Sequence, residues 1–290
     1  MSTIAIKTLR NFVLVLLVQL CIEGIMPARL NAQVAQTFYV RENTRTRRAV
    51  PYIHERETDI MWSKRVWRTL DLREKFNHPL YFPETPTLER KSLFDVIKQG
   101  LLDGVIHGFA NPVMDDEFQV KMNKVEIDSM FNSVDSVPVE NPNAPGTYMN
   151  VAVPIEINSN MIKQYWMKED WYFDRQRSVM DVRIIGLCPL REKTDPTTGD
   201  ILGYVPLFWV YFPECRQLFA NSEVYNTKND AQRCSADDVF MKRMFSSFVN
   251  KESNVYDRSI VAYATGLEAQ LESERVKNDI QLMEHDVWHF

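Results

Sequence analysis

The chain has 290 residues, 45% of them hydrophobic and 25% charged, with a formal net charge of −5. That length allows one large or two small domains with real cores, and the acidic balance argues against nucleic acid as a partner. Only 9 glycines are present, few for an enzyme that brings its backbone against phosphate groups.

The chain opens like a secretory signal. Lys7 and Arg10 precede the apolar run Phe12–Ile22, which is shorter than the roughly 20 residues a membrane span needs but suits a signal core. Leu30-Asn-Ala32 offers a small residue for cleavage, so residues 1–32 read as a signal peptide. Cys21 makes a poor lipoprotein cysteine, because Leu20 occupies the place of the small residue that acylation needs. Removing Lys7, Arg10, Arg29 and Glu23 leaves 31 basic and 38 acidic residues, a net charge of −7. An exported, mildly acidic protein is the expectation. Its cysteines, Cys188, Cys215 and Cys234, allow one disulfide with a free thiol or three buried thiols.

Residues 33–50 read as an extended basic lead-in with Arg41, Arg45, Arg47 and Arg48. It is either a solvated tail or a surface for an acidic partner. Over 57–73, Trp62, Val66 and Leu70 recur at steps of four and predict a helix. Trp62 and Trp67 then anchor it in the core, and Lys64, Arg65 and Arg68 form its wet, basic face. A second helix is expected over 89–102 and short strands over 105–110 and 117–122, completing an N-terminal α+β subdomain over 51–132. Residues 133–160 hold four prolines and five asparagines among small residues and read as a linker or loop.

A C-terminal α+β subdomain is expected over 161–264. It opens with a helix near 161–170 carrying Trp166. A long hairpin follows, Val179–Leu190 returning through Ile201–Phe212 around the turn signal Asp195-Pro-Thr-Thr-Gly199. Ser235-Ala-Asp-Asp238 reads as a helix cap. Behind it Met241, Met244, Phe245 and Phe248 predict one buried helical face. Thr265-Gly-Leu-Glu268 caps a polar C-terminal helix within 265–290, whose narrow stripe is Val276, Ile280, Met283 and Val287. Such a stripe fits a neighbouring molecule as well as the chain's own core.

No catalytic constellation emerges. Gly-x-Ser-x-Gly, a phosphate loop and Cys-x-x-Cys are all lacking. Asp115-Asp116-Glu117 does not have the spacing of a calcium loop, and His285 with His289 is a weak metal candidate. Neither a metal nor another cofactor is expected.

Several words recur in order. Trp62-Ser-Lys-Arg-Val-Trp67 returns as Trp166-Met-Lys-Glu-Asp-Trp171, Asp71-Leu-Arg73 as Asp181-Val-Arg183, and Tyr81-Phe-Pro-Glu84 as Tyr211-Phe-Pro-Glu214. The order suggests a degenerate duplication, with chance as the competing reading. Asp71 with Arg73, and Asp181 with Arg183, lie two apart and so share a face on a strand, which suits ion pairs better than acid catalysis. The fold expected is therefore α+β: two subdomains related by that duplication, with short antiparallel sheets, flanking helices and a C-terminal helix.

Longer strings carry a family resemblance. The stretch 61–84, together with Glu169-Asp-Trp-Tyr-Phe-Asp174, Pro206-Leu-Phe-Trp209, Asn229-Asp-Ala-Gln-Arg233, Asp238-Val-Phe-Met-Lys-Arg243, Lys251-Glu-Ser-Asn-Val-Tyr-Asp-Arg258 and Leu271-Glu-Ser-Glu-Arg275, resembles the GldN/PorN family. The resemblance implies a non-enzymatic periplasmic component of the type IX secretion and gliding-motility machinery. It implies a ring at the inner face of the outer membrane, formed with a GldK/PorK-like lipoprotein, and contact with a GldM/PorM-like motor-coupling protein. It carries over neither catalytic residues nor cofactors. The alternative is a periplasmic binding module for peptidoglycan or an exported peptide.

Overall fold

The computed structural model describes residues 47–87, 90–140, 148–195, 198–229 and 231–287. Residues 1–32, expected to be a signal peptide, and Arg41 and Arg45 lie outside them. In chain order the elements are β1 (Ile60–Asp71), α1 (His78–Tyr81), α2 (Leu93–Leu102), β2 (Gly108–Phe109), α3 (Lys124–Phe131), β3 (Asn132–Glu140), β4 (Tyr148–Glu156) and β5 (Ile162–Asp174). They continue with β6 (Val179–Thr194), β7 (Ile201–Pro206), β8 (Trp209–Tyr211), α4 (Phe212–Asn221), β9 (Glu223–Val224), β10 (Cys234–Ser235), α5 (Ala236–Met241), β11 (Phe248–Glu252) and α6 (Leu267–Val287). The fold is α+β, with a C-terminal helix.

Its frame is one seven-stranded sheet in the order β11-β1-β5-β6-β8-β2, with β7 also pairing β6. Each of these pairings is antiparallel. Strands from both sides of residues 133–160 enter this sheet. One face is covered by α2, α4 and α5 over a core that includes Leu70, Ile97, Tyr165, Leu187, Phe212 and Phe240. At the β11 end, Val66 and Val249 pack under Val276 and Ile280 of α6. Side chains alternate across a strand, so Trp67, next to Val66, joins Phe109, Cys188 and Trp209 in a separate cluster.

Two expected helices are strands. Residues 60–71 form β1, preceded only by a short 3-10 turn at Glu57–Asp59. Steps of four, as in Trp62, Val66 and Leu70, satisfy a period of two as well as one of 3.6. The β-branched and aromatic content of the stretch then favours the pleated form. Likewise 162–174 is β5, and it lies directly against β1: Arg65 faces Asp170 and Trp67 faces Lys168. Packing between these strands decided what local periodicity left open.

The segment 133–160 is also corrected. Its described residues as far as Glu156 lie in two strands, β3 and β4, that pair antiparallel, with Pro138 opposite Asn150 and Pro154 opposite Val134. A proline fits an antiparallel ladder only where its N–H would point away from the partner. Four register steps separate the two prolines, so both fall in the same class of pair. Prolines in this register permit a strand, and their number alone misled the reading.

The recurring words agree only in part: Trp62–Trp67 and Trp166–Trp171 both lie in strands, β1 and β5, but the later words do not share an element. Asp71 ends β1, whereas Asp181 lies within β6. Tyr81 closes α1, whereas Phe212-Pro213 opens α4. The two halves therefore share a strand at the tryptophans and differ at Tyr-Phe-Pro-Glu. The helix after Ser235 also stops early, at Met241. Phe245 alone of the expected apolar face is buried, while Met241, Met244 and Phe248 are exposed. Other expectations hold: a helix forms within 89–102, as α2, the β6–β7 hairpin forms, and Ser235 with Asp238 makes a reciprocal capping box.

A loop over residues 110–120 covers the Trp209 cluster and is pinned by Phe118, whose φ is +61°. Its ring meets Phe109 and Trp209 edge-on and lies over Gly186. A Cβ at Gly186 would come within 2.5 Å of that ring. Gly186→Ala should therefore expel Phe118 and cost about 1–3 kcal/mol. Urea unfolding checks the cost, and faster proteolysis between 110 and 120 checks the site.

Candidate interaction surface

The cations expected to face a partner are largely consumed inside the molecule. Lys64 pairs with Glu252 at 2.6 Å. Arg65 holds Asp170 across the β1–β5 ladder through Nε at 2.6 Å and Nη2 at 2.9 Å. Arg68 is buried, donating to Ser247 Oγ at 2.8 Å and lying 4.0 Å from Glu169. Burial lowers the Arg68 pKa, and the Glu169 charge opposes that effect.

Glu169 is the centre of this network and is fully buried. Arg243 grips it with Nη1–Oε1 at 2.8 Å and Nη2–Oε2 at 3.3 Å, and Trp171 Nε1 donates to Oε2 at 3.0 Å. The Arg243 guanidinium also lies over the Trp171 and Phe245 rings. Arg243 has a φ of +51°, a costly conformation for a residue with a side chain, and its ion pair compensates. The arrangement joins β1, β5 and the α5–β11 connection.

The four tryptophans named from the sequence are half-buried. Trp62 and Trp171 flank the α6 cluster, while Trp67 and Trp166 flank the Trp209 cluster. Trp209 is the deeply buried one, donating to Pro112 O at 2.9 Å. Only its place in an apolar strand marked it in the sequence. Lys168 lies over Trp67 and Phe118 and donates to Asp116 O at 2.6 Å; burial lowers its pKa.

Asp71 and Arg73 pair directly, Nη2–Oδ2 at 2.6 Å. Burial works to raise the Asp71 pKa, but the hydrogen bonds from Arg73 and Gln164 bring it below the usual value. Asp181 and Arg183 instead take different partners: Asp181 lies 3.7 Å from Arg177 and Arg183 lies 3.8 Å from Glu55.

Residues 47–56 are strapped onto the body. Arg47 pairs with Asp238, and Gln217 binds Arg47 O at 3.1 Å and Ala49 N at 3.4 Å. Tyr52 stacks with Arg216 at 4.3 Å and Arg183 at 5.1 Å, and Arg216 pairs with buried Asp237. Burial pushes the Tyr52 phenol up to about 12. Glu55 meets Arg177, and Arg183 donates to Ile53 O. The basic composition of the lead-in gave no sign of this docking, because the acidic partners come from distant parts of the chain. Arg48 remains exposed.

The C-terminal stripe also turns inward. Val276 and Ile280 are buried against the chain's own β1 and β11, and Met283 and Val287 are half-buried. Ser273 Oγ accepts from Val249 N at 3.0 Å. Cys188, Cys215 and Cys234 are free thiols, and burial raises all three above the ordinary thiol range. Among the described residues there is no metal-binding group of three or more His, Cys, Asp or Glu, and no helix long and apolar enough to cross a membrane.

These features define an α+β protein on an antiparallel sheet, in which most of the charged and aromatic residues singled out from the sequence hold the scaffold. The family model described as gliding motility associated protein GldN matches residues 55–289, and the chain belongs to that family. No curated protein matches it.

Two outcomes follow. Arg243→Ala leaves Glu169 buried with Arg68 as its nearest cation and should cost about 3 kcal/mol or more; a urea midpoint near wild type would refute this. Burial works to raise Asp238, but hydrogen bonds from Ser235 and Arg47 hold it below the usual carboxylate range. Its contribution to the strap is thus present above the ordinary carboxylate pKa and lost as pH falls through the lowered one. Tyr52→Ala should loosen the same strap at neutral pH. Trypsin should then cut faster after Arg47, Arg48 and Arg56, with the rest of the chain intact.

Proposed function

We propose that the chain is a non-enzymatic structural subunit of a periplasmic ring complex in the type IX protein secretion and gliding-motility machinery. In this reading it is exported by its N-terminal signal and assembles with an outer-membrane GldK/PorK-like lipoprotein. It lies at the inner face of the outer membrane and contacts a GldM/PorM-like motor-coupling protein. Membership of the GldN family carries the reading. The β3–β4 hairpin supports it. Two nine-residue strands pair with each other and join neither of the other sheets. A lone hairpin is marginal in water and suits a protein completed by neighbours.

Light scattering after size exclusion, with the chain and the lipoprotein mixed, tests this. A large common assembly is expected. Replacing residues 133–155 by a short turn should weaken assembly and leave the melting transition of the body in place. A strict monomer that ignores the lipoprotein yet sediments with purified peptidoglycan would instead favour a glycan-binding module.

A further inference from the structure

Helix α6 has a second apolar stripe, opposite the one it buries. Leu267, Leu271 and Leu282 are 70%, 62% and 58% exposed. They lie four and eleven residues apart, about one and three turns, so they share a side of the helix. Exposed Val261 lies just before the helix.

The charges around this stripe are one-sided. The helix carries Glu268, Glu272, Glu274, Asp279, Glu284 and Asp286 against Arg275 and Lys277. Both cations are occupied within the chain. Arg275 is held by Glu272, Asp279 and Glu252, and Lys277 lies 3.8 Å from Glu274. The outer face is therefore leucine-bearing and acidic. A second α6 is a poor occupant, because like charges would meet.

The chain holds a segment of the opposite character. Residues 33–46 contain the apolar run Phe38-Tyr-Val40, followed by Arg41 and Arg45 with one acid, Glu42. The segment ends where the strap begins, at Arg47 on Asp238. Fourteen residues reach up to about 45 Å when extended, enough to leave the body on which the strap is fixed.

We propose that residues 33–46 of one copy dock on the outer face of α6 of a neighbouring copy. The apolar run lies along Leu267 and Leu271, and the arginines lie against the acidic flanks. Donor and acceptor are different surfaces, so the contact is head-to-tail and closes into a ring when the rotation allows. This rests on the proposed assembly role and names the self-contact within it.

The test uses the processed chain with two kinds of variant. Leu271→Glu blocks the acceptor at an exposed position, and Arg41→Glu with Arg45→Glu blocks the donor. Each should weaken self-association by about tenfold or more, with an unchanged circular-dichroism melt. Mixed in equal amounts, the two should form dimers and nothing larger, since each keeps one working surface. Adding Glu268→Lys and Glu274→Lys to the donor-blocked chain should restore assembly. If wild type and variants assemble alike, the docking is wrong although the assembly role stands. Loss of lipoprotein capture alone would assign α6 to that partner and also overturn the proposal. If wild type does not self-associate under any condition, the ring reading itself falls.

Discussion

A carboxylate with no access to water sits at the middle of this protein, and the structure around it is arranged to keep it paired. Glu169 projects from β5, and removing its charge from water is costly unless cations and donors replace the solvent. Arg243, Arg68 and Trp171 do so. Because Arg243 lies on the connection between α5 and β11, its grip sets how the chain returns to the sheet edge. That return places Val249 beside Val66, the seat on which Val276 and Ile280 of α6 pack. The position of the C-terminal helix is thus a consequence of one buried ion pair.

The same economy governs the surface. Most cations that a linear reading offers to partners are taken by acids from distant segments: Lys64 by Glu252, Arg65 by Asp170 and Arg47 by Asp238. Among the features that stay open are backbone and apolar ones. These are a hairpin that joins no other sheet and a helix that shows leucines to solvent. Both support the assembly role proposed above.

Legibility depended on the range of the interaction that decides each element. Caps and turns are local, and Ser235 and the hairpin of β6 with β7 were readable because the deciding bonds lie within a few residues. Trp62, Val66 and Leu70 were misread because their spacing suits two periods, and the partner that settles the matter is about a hundred residues away. The inward turn of Val276 and Ile280 was open for the same reason: an amphipathic stripe does not say whose core it covers. The family strings were readable over most of the chain, since long unusual words need no folding argument.

By itself the sequence determined the α+β class, the helix cap at Ser235, the long hairpin, the polar C-terminal helix and the family. Each of these rests on local chemistry or on the identity of residues in order. Only the tertiary structure decided that β1 and β5 are neighbouring strands, that β3 and β4 pair within the proline-rich stretch and that 47–56 is a strap. It also decided that Lys64, Arg65 and Arg68 are held by partners within the chain. The physical reason is common to all four: pairing and burial are made between segments far apart in sequence, and no short stretch encodes its partner.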